Sequence, residues 1–493
     1  MPRVVFLLLF AMLLQLKVGV CGFTLEAPGF GVKRLVASGN NVLATDGMSM
    51  LLLSEQGEKL AYAKVDLDYS YLLQDAVQAN GAYYFLYQHS GSPVRFALLA
   101  LNADLSVRWL RDYEQAGATF GYALAAAPDG VVVAGRSCDP GFFLCNVNAA
   151  GDVVWHKTYA SGNATALPGA LVATQNGFAA AFKISIGGAW QLGMLNVDHD
   201  GNALQTTLTT VGGNLFIKAL VETDNGFAAL LHRAAGGINS IVAFDPSFFA
   251  QHRYDIVSTN PMQLTDMIER DGKFMVCGNA LQNGGSDLDI VYGVVDPLAL
   301  TTNISVNGTS AYDDARSLVK IEQQIWVGGN REANAFVGSF AATFTKPCAF
   351  SDLPANVSQS VATSQSVNGN VSVGPLFSVT TSQCSAAVEP LSIVNFCTVE
   401  ETATSVENTP TSENFGFAIY PNPSNGNFSV ASRSTDNYVI NVFDVNGKRV
   451  MEQRAIPGVS TINLKQPVAG SYVVSMVNEQ NGLVESRMIV VKP

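Results

Sequence analysis

The sequence is poor in charged residues and in the motifs that usually carry catalysis. Only 14% of its 493 residues are charged, and five are histidines. No histidine lies in an HExxH or other metal-binding spacing, and no GxSxG elbow, P-loop or CxxC pair occurs. These absences argue against a zinc protease, a serine hydrolase, a P-loop enzyme and a thiol redox enzyme. We therefore assign no catalytic residue, no cofactor and no metal site, and an enzyme is the less favoured interpretation.

Basic residues are also scarce. Lysine and arginine number 28 against 40 acidic residues, which gives a net charge of −12. If Arg3 and Lys17 are removed with an N-terminal leader, 26 basic residues face 40 acidic ones and the net charge becomes −14. Such a surface repels phosphate backbones, so no nucleic-acid partner is predicted.

The one long apolar run lies at the N-terminus, where residues 1–22 are predicted to be a secretory signal peptide. Arg3 supplies the positive start, and Val4–Leu16 gives thirteen mostly apolar residues, too few to span a bilayer. Val20 and Gly22 provide the small residues that signal peptidase requires, which places cleavage between Gly22 and Phe23.

Two other interpretations of the leader remain. It could be an uncleaved anchor, although Lys17 lies inside the segment, or a lipoprotein leader ending at Cys21, although Val20 is a poor residue before a lipidated cysteine. No later stretch is long and apolar enough to be an integral membrane segment.

Six cysteines remain if Cys21 leaves with the leader, and an exported chain permits disulfides. Cys138 and Cys145 bracket one loop between adjacent predicted strands, so we predict a disulfide between them. Cys277 lies on a predicted strand as a buried free thiol. The last three cluster after the repeats, where two could pair: Cys348, Cys384 and Cys397.

What the chain does contain is glycine, 44 residues of it, in a pattern that repeats. The clearest unit is Gly121–Tyr159, which is predicted to form four short strands separated by three turns. Its first two strands flank Asp129-Gly130, a tight-hairpin signal. The equivalent glycine returns after 46 to 49 residues each time, at Gly81, Gly130, Gly177, Gly226 and Gly272.

Degenerate copies around Asn40 and Gln324 extend this series to seven units of about four strands. The fold class is therefore predicted to be all-β, with residues 23–345 forming a β-propeller of about seven four-stranded blades. The main alternative is a pair of β-sandwiches, which would not need a fixed period. Trp109 and Trp155, at matched positions, are expected to pack between adjacent blades.

Downstream of the repeats the composition changes twice. Residues 346–414 are rich in serine, threonine and valine and lose the period, which predicts a few strands followed by a flexible linker over residues 400–414. Residues 415–493 return to short strands of period two, the pattern of a small antiparallel sandwich.

The last segment carries a set of motifs in a characteristic order. Tyr420-Pro421-Asn422-Pro423 is followed by Gly426, then by Asp444, Gly447 and Lys448 in a hairpin, by Gly470 and Tyr472, and by Lys492 at the end. In order, spacing and position this segment resembles the type A C-terminal sorting domain of the type IX secretion system.

The resemblance implies passage through the outer membrane to the cell surface or the extracellular space. It implies as partners the type IX machinery and a sortase-like protease that removes the domain, by analogy within Glu400–Asn414. The mature protein would then be anchored to lipopolysaccharide or released. The repeats resemble, more weakly, secreted propellers with a DGGFVVAG…LDADGNVVW-type consensus over residues 30–345, a group with no single activity.

The loops expected to present a ligand are short and rich in glycine, and scarcely two carboxylates among them suit acid/base work. We therefore expect a secreted binding or scaffold module for an extracellular glycan or protein. The alternatives are an extracellular enzyme acting on glycan or peptide at the propeller face, and a structural surface-layer protein. The ligand loops are expected near residues 89–93, 136–141, 185–189, 234–237, 279–286 and 330–334.

Overall fold

The structure is a computed structural model. It describes residues 23–115, 117–137, 141–160, 164–234, 237–281, 287–309, 312–322, 324–332, 334–341, 351–367, 370–373, 378–382, 384, 386–388, 394–398, 417–420, 424–432, 438–444, 448–455, 459–464, 468–478 and 484–492.

Seven antiparallel sheets, here called blades 1 to 7, make up most of the chain, and in blades 1 to 6 four consecutive strands pair in sequence order. The first three blades contain the following strands. Blade 1 has β2 (Arg34–Ser38), β3 (Asn41–Thr45), β4 (Ser49–Leu53) and β5 (Lys59–Val65); blade 2 has β6 (Tyr71–Ala79), β7 (Ala82–His89), β8 (Arg95–Asn102) and β9 (Val107–Glu114); blade 3 has β10 (Phe120–Ala127), β11 (Gly130–Arg136), β12 (Phe142–Val147) and β13 (Val153–Ala160).

The next three blades repeat this order. Blade 4 has β14 (Ala166–Thr174), β15 (Gly177–Ile186), β16 (Ala189–Asp198) and β17 (Ala203–Thr209); blade 5 has β18 (Leu215–Thr223), β19 (Gly226–Arg233), β20 (Ile238–Phe244) and β21 (Ala250–Ser258); blade 6 has β22 (Met262–Arg270), β23 (Lys273–Leu281), β24 (Leu288–Asp296) and β25 (Thr301–Asn307). The predicted all-β class and four-strand repeat are thus present as propeller-like blades.

Blade 7 differs because it combines the two ends of the repeat region. It contains β26 (Asp314–Ile321), β27 (Gln324–Arg331) and β28 (Asn334–Ala341), and its fourth strand is β1 (Phe23–Ala27) from the start of the described chain. β1 pairs with β28 in antiparallel register from Phe23 opposite Ser339 to Ala27 opposite Ala335. The first strand therefore completes the last blade.

The hydrophobic cores lie between blades. Each adjacent pair shares a cluster of buried apolar side chains, and the series includes blade 7 with blade 1, where Leu25, Val32, Leu35 and Trp326 pack together. The first strand of each blade, here called its inner strand, also contacts the inner strands of both neighbouring blades. One sheet cannot bury its own faces, so each blade depends on its neighbours for a core.

The first hairpin of each blade explains the repeated glycine. Gly130 and Gly177 have φ values of +124° and +148°, and a Cβ atom at either would collide with a backbone carbonyl oxygen of the third strand, that of Val147 or Val197. Glycine is needed there both for its backbone conformation and for its lack of a side chain.

Substitution at these glycines is expected to separate the two requirements. Gly272 occupies the same hairpin in blade 6 with φ of +74°, but open space surrounds its missing Cβ. Gly272→Ala should cost about 1–2 kcal/mol from the left-handed conformation alone, whereas Gly177→Ala should cost more because strands must also separate. Urea denaturation of the two variants measures the difference, and equal losses would contradict the close-approach explanation.

The turn between the third and fourth strands of blade 3 ties that blade to the one before it. In blade 3 the Asn148 carbonyl accepts the N–H of Gly151, and the Asn148 N–H donates to the carbonyl of Asp152. This is a three-residue hairpin ending in a left-handed residue. Trp109 of blade 2 donates its indole N–H to the carbonyl of Ala149 at 2.9 Å, and Tyr113 donates to the carbonyl of Gly151 at 2.7 Å.

Blades 3 and 4 repeat the same connection. Trp155 donates to the carbonyl of His199 at 2.9 Å, and Tyr159 donates to that of Gly201 at 2.6 Å. The two tryptophans therefore lie between blades as expected, and each also makes a hydrogen bond that the sequence did not reveal. The Asp198–Asn202 segment, with its carboxylates two residues apart, is the turn that receives these bonds, and the Asp198 side chain accepts the N–H groups of Asp200 and Asn202.

A belt of short strands, residues 351–398, adds a fifth strand to every blade. It visits the blades in descending order and reaches blade 7 last. Its strands are β29 (Ser351–Asp352) on blade 6, β30 (Ala355–Val361) on blade 5, β31 (Ser364–Ser366) on blade 4, β32 (Asn370–Val373) on blade 3, β33 (Ser378–Ser382) on blade 2, β34 (Ala386–Val388) on blade 1 and β35 (Val394–Thr398) on blade 7.

The belt lies within the part predicted as a separate serine- and threonine-rich region, residues 346–414. Chain contacts group residues up to Glu401 as one compact unit and Thr402–Pro493 as a second. β30 has three half-buried positions, Ala355, Val357 and Ser360, and is otherwise exposed; its sequence is Ala-Asn-Val-Ser-Gln-Ser-Val. Short polar strands of this kind leave an outer edge that invites little further pairing.

The second unit contains two small antiparallel sheets. One has the order β36 (Phe417–Tyr420), β37 (Asn427–Ser432) and β40 (Val459–Asn463), and the other has β39 (Arg449–Ala455), β38 (Tyr438–Phe443), β41 (Gly470–Asn478) and β42 (Val484–Val491). Alternate residues of both sheets share one core that includes Phe428, Ile440, Ile462, Val474 and Ile489. This is the sandwich pattern expected from period-two alternation.

Candidate functional site

A polar cavity of about 200 Å³ lies where the inner strands of all seven blades meet. It is here called the channel cavity. Because every blade contributes to its wall, it is the place where the fold concentrates side chains from distant parts of the sequence. The polar side chains that line it are Arg34, Asp75, Tyr122, Lys218, Asp266 and Ser317.

A repeated β-bulge shapes this wall. In six of the inner strands the register with the second strand slips by one residue at the same place. A bulge leaves one residue unpaired and turns its side chain away from the regular alternation. The residues that fall at the slip are Gln74, Tyr122, Gly169, Lys218, Thr265 and Arg316.

The residue after the bulge joins neighbouring blades. Asp75 accepts the N–H of Leu124 at 2.8 Å, and Asp266 accepts that of Leu318 at 2.7 Å. Ser317 accepts the N–H of Leu35 at 3.0 Å in the same way. In blades 3, 4 and 5 the equivalent residue is alanine, so the polar connectors belong to blades 2, 6 and 7. These carboxylates therefore stabilise the contacts between inner strands.

Arg34 partners these carboxylates. Its Nε lies 3.2 Å from Oδ1 of Asp75. Burial opposes the charge on Arg34, but the nearby carboxylates of Asp75 and Asp266 outweigh it and the pKa of Arg34 is raised. Burial raises the pKa of Asp266, while Arg34 and two backbone N–H groups act in the opposite direction. The carboxylates of the channel cavity are thus already paired with Arg34 and with backbone N–H groups.

A second polar cluster lies at the edge of blade 2. Nδ1 of His89 is 3.1 Å from Oδ1 of Asp112, and Nε of Arg95 is 3.4 Å from the same oxygen. The Tyr71 hydroxyl donates to Asp112 at 3.3 Å, and its ring stacks on His89 with centroids 4.2 Å apart. A histidine that is oriented by a carboxylate can act as a general base. Here the carboxylate also holds the ends of four strands together.

Asp289, at the start of β24, is a carboxyl group whose surroundings disfavour its ionised form. Its Oδ1 is buried without a hydrogen-bond partner. Burial, together with the negative charges of Asp287 and Asp313, raises the pKa of Asp289 to about 6. Asp313 accepts the backbone N–H of Thr309 at 2.6 Å, so that carboxylate has a structural role. Within the described residues, no group of three or more histidine, cysteine, aspartate or glutamate side chains is placed to hold a metal ion.

The Asp289 environment predicts a pH-dependent gain from Asp289→Asn. A carboxyl whose pKa is about 6 in the fold and near 4 when unfolded favours folding at low pH, and this contribution is lost as the pH rises through 6. The variant should therefore melt roughly 2 °C above the parent protein at pH 7.5 and level with it at pH 4. Asp200→Asn, on an exposed turn, is the matched control and should change neither value; a gain independent of pH would contradict the explanation.

Three cysteines carry free thiols: Cys145, Cys277 and Cys384. Cys145 is fully buried, and burial raises its pKa. Cys138 lies outside the described residues, but the thiol of Cys145 is free, so the predicted bridge between the two is not formed in this structure. Cys277 is a buried free thiol, as expected, while Cys348 lies outside the described residues.

The predicted sorting residues lie on the second unit. Tyr420 is the exposed end of β36, and Pro421, Asn422 and Pro423 lie outside the described residues, as does Gly22 of the signal-cleavage pair, while Phe23 begins β1. Gly426 has a φ of +97° just before β37, and Gly470 begins β41.

The remaining sorting residues fix turns and ends. The N–H of Asp444 donates to the carbonyl of Lys448, and the N–H of Lys448 donates to Oδ1 of Asp444, both at 3.0 Å. These bonds close the β38–β39 hairpin, whose Gly447 lies outside the described residues. Tyr472 is buried and donates to the carbonyl of Val468 at 3.0 Å, and Lys492 donates its N–H to the carbonyl of Ser424 at 2.7 Å.

Sequence reasoning did not identify the channel residues. One signal was available in retrospect: the bulge residue lies seven or eight positions before the hairpin glycine in blades 2 to 6, where Gln74, Tyr122, Lys218 and Thr265 are polar. The six expected ligand loops do join the second and third strands of blades 2 to 7, at one edge of the blades. Among the described residues, no helix is long and apolar enough to cross a membrane.

Comparison with known proteins identifies one part of the chain. Residues 418–492 match the family described as a secretion system C-terminal sorting domain. The match marks the chain as secreted through the type IX system to the cell surface or the extracellular space, and the type IX machinery as a partner that handles it. No curated protein matches the chain.

Two solved structures are similar over most of their length. One is PorZ, a surface component of the type IX secretion system of the oral bacterium Porphyromonas gingivalis, with 10% identity, a TM-score of 0.21 and coverage of 94% of this chain and 87% of that one. The other is a fungal alcohol oxidase of the AA5 family in complex with copper, with 11% identity, a TM-score of 0.26 and coverage of 93% and 85%. Both TM-scores are low, so neither likeness bears on the function of this chain.

Proposed function

We propose that the seven blades close into one β-propeller ring and that this ring is a binding or scaffold module outside the cell. The unbroken cycle of contacts between inner strands supports closure, as does the core that blade 7 shares with blade 1. The C-terminal unit serves export, and a sortase-like protease removes it within Glu400–Asn414. The mature protein is then anchored at the surface or released.

The channel cavity is the observation that carries the binding function. A cavity of about 200 Å³ has room for roughly six or seven waters at their liquid volume, enough for a small polar ligand. The other cavity of note, about 30 Å³ between Phe142 and Val367, is apolar and is a packing gap between blades. Ligands of rigid scaffolds generally bind where loops and a central cavity meet.

Binding by residues 23–401 to glycan arrays and extracellular proteins tests this function. Ala76 is half-buried and lines the channel cavity, so Ala76→Trp should fill the cavity and abolish binding. Ser247→Trp adds the same bulk on an exposed turn and should leave binding unchanged. If no ligand of any class binds, or if both variants bind like the parent, the channel cavity is not the binding site.

An extracellular enzyme is the second candidate, and the His89–Asp112 pair is the observation that favours it. Turnover of a glycan or peptide polymer by residues 23–401, lost on His89→Gln with folding intact, would establish it. A surface-layer role would instead appear as ordered self-assembly of the same fragment without any ligand.

A further inference from the structure

Three basic side chains lie together at the loop edge of blades 4 and 5. Lys183 is near the end of β15, Lys218 is near the start of β18, and His232 is near the end of β19. His232 is the register partner of Phe216, which is 42% exposed. In each blade the first strand starts and the second strand ends at the edge that carries the expected ligand loops. The cluster therefore lies on the proposed binding face.

Aromatic rings, rather than carboxylates, hold the two lysines. Nζ of Lys183 lies 4.6 Å from the ring centre of Trp190 and 4.7 Å from that of Phe216. Nζ of Lys218 lies 6.0 Å from the Phe216 ring. A cation over an aromatic face is attracted by the ring without being neutralised, so its charge stays available to a ligand.

Other basic residues of the blades differ from these lysines because they are paired with carboxylates. Arg34, Arg95, Arg111, Arg233 and Arg253 each lie within 3.4 Å of an aspartate carboxylate. Within the described residues no such ion pair includes Lys183 or Lys218.

Burial acts on these charges in one direction only. It lowers the pKa of Lys183 and of Lys218, and no carboxylate offsets the effect for either. Burial lowers the pKa of His232, its hydrogen bond with Asn239 acts the other way, and the charge of Lys218 adds a smaller lowering. Partly buried positive charge without a counterion attracts an anion.

The cluster is continuous with the channel cavity. Lys218 is the bulge residue of β18 and lines the cavity, while its neighbour Phe216 contacts Lys183. On the other side of the cavity Arg34 is paired with Asp75, and Asp75 and Asp266 accept backbone N–H groups. Among the described residues that line the cavity, Lys218 is therefore the one cation without a carboxylate partner, and it is available to an anion.

We propose that Lys183, Lys218 and His232 form an anion-binding site at the mouth of the channel cavity. Its ligand is a small organic anion, with a carboxylate or phosphate held between the two lysines and its uncharged part in the cavity. The proposal rests on the proposed function, because it assigns a ligand class to the same face.

Calorimetric titration of residues 23–401 with glucose, glucuronate and glucose 6-phosphate tests the ligand class. The two anions should bind at least tenfold more tightly than glucose, and added sodium chloride should weaken them. Comparison of the anions distinguishes a carboxylate from a phosphate ligand. If glucose binds as tightly as both anions, the anion site is wrong and the binding module stands; if no sugar or other extracellular ligand binds at all, both proposals fail.

Variants and a spectroscopic probe locate the site. Lys218→Met and Lys183→Met should each weaken binding of the tighter anion at least tenfold. Lys320→Met is the matched control, because Lys320 is an exposed lysine near the opposite end of inner strand β26. The imidazole NMR signals of His232 in the unmodified protein should shift as the anion is added. Unchanged affinity in both lysine variants, or unshifted His232 signals, would overturn the site whether or not one variant folds poorly.

Discussion

A chain that starts at Pro28, after β1, is expected to lose the cooperative fold of residues 23–401. β1 is an interior strand of blade 7 and pairs at five positions with β28 and at four with β35. Each backbone hydrogen bond that is lost lowers the free energy of unfolding by about 1 kcal/mol, and loss of the buried Leu25 side chain lowers it by about 2–5 kcal/mol. The total loss of unfolding free energy is roughly 10 kcal/mol. This is comparable to the whole stability of a typical protein.

Thermal unfolding followed by circular dichroism measures this effect, with the fragment starting at Phe23 as reference. Leu25→Ala removes the buried side chain but keeps the strand, so it should still unfold cooperatively, at a lower temperature than the reference. A synthetic peptide covering residues 23–30 should restore a cooperative transition to the shortened chain, and a scrambled peptide should not. If the deletion variant melts within about 2 °C of the reference, β1 does not hold the last blade in place.

The same blade brings the two ends of the first unit together. Phe23 is the register partner of Thr398, so the residue predicted to follow signal cleavage lies opposite the last strand of the belt. The predicted removal of the C-terminal unit, within Glu400–Asn414, falls just beyond that strand. Both predicted cuts therefore leave the paired strands β1 and β35 intact, which is compatible with a blade that is completed before either cut.

The blades could be predicted from the sequence because each hairpin is specified by residues that are adjacent in the chain. Asp129-Gly130 and its equivalents impose hairpins whatever the rest of the chain does, since Gly130 needs a positive φ and no side chain. The spacing of those hairpins then gives the repeat. The C-terminal sandwich was accessible for the same reason, through period-two alternation and the Asp444–Lys448 turn.

The pairing of the belt strands could not be predicted from the sequence, because their partner strands are far away in the chain. β31 has only three residues, and β30 pairs with β21 about a hundred residues earlier. Such pairing is fixed by the exposed outer edges of finished blades and not by any pattern inside Ser364–Ser366. Polar residues that resemble a linker are also suitable for an outermost strand.

The channel residues illustrate a similar limit. Arg34 and Asp75 are 41 positions apart and meet because adjacent inner strands meet. A one-residue bulge decides that Lys218 lines the cavity, and strict alternation along β18 does not predict that slip. The set of side chains that line the channel cavity is therefore a property of the assembled blades.

Deletion of Ser471–Pro493 is expected to abolish delivery to the cell surface. The deletion removes nearly all of β41, the strand between β38 and β42, together with β42 and the buried side chains of Tyr472, Val474 and Ile489. Of that sheet only the β38–β39 hairpin remains, and a two-stranded hairpin is marginally stable at best in water, so the sorting domain cannot keep its fold. The family matched by residues 418–492 marks secretion through the type IX system. We therefore expect the truncated protein to accumulate in the periplasm while its blades remain folded.

Cell fractionation and protease shaving of intact cells measure the outcome, and the surface signal should fall at least tenfold. Val450→Thr is the matched control, because Val450 is exposed on β39 and is not one of the predicted sorting residues, so this variant should reach the surface at the parent level. An unchanged melting temperature of the purified first unit confirms that the blades are unaffected. Surface exposure of the truncated protein at the parent level would show that residues 415–493 are not the export signal, and the route would have to depend on the blades themselves.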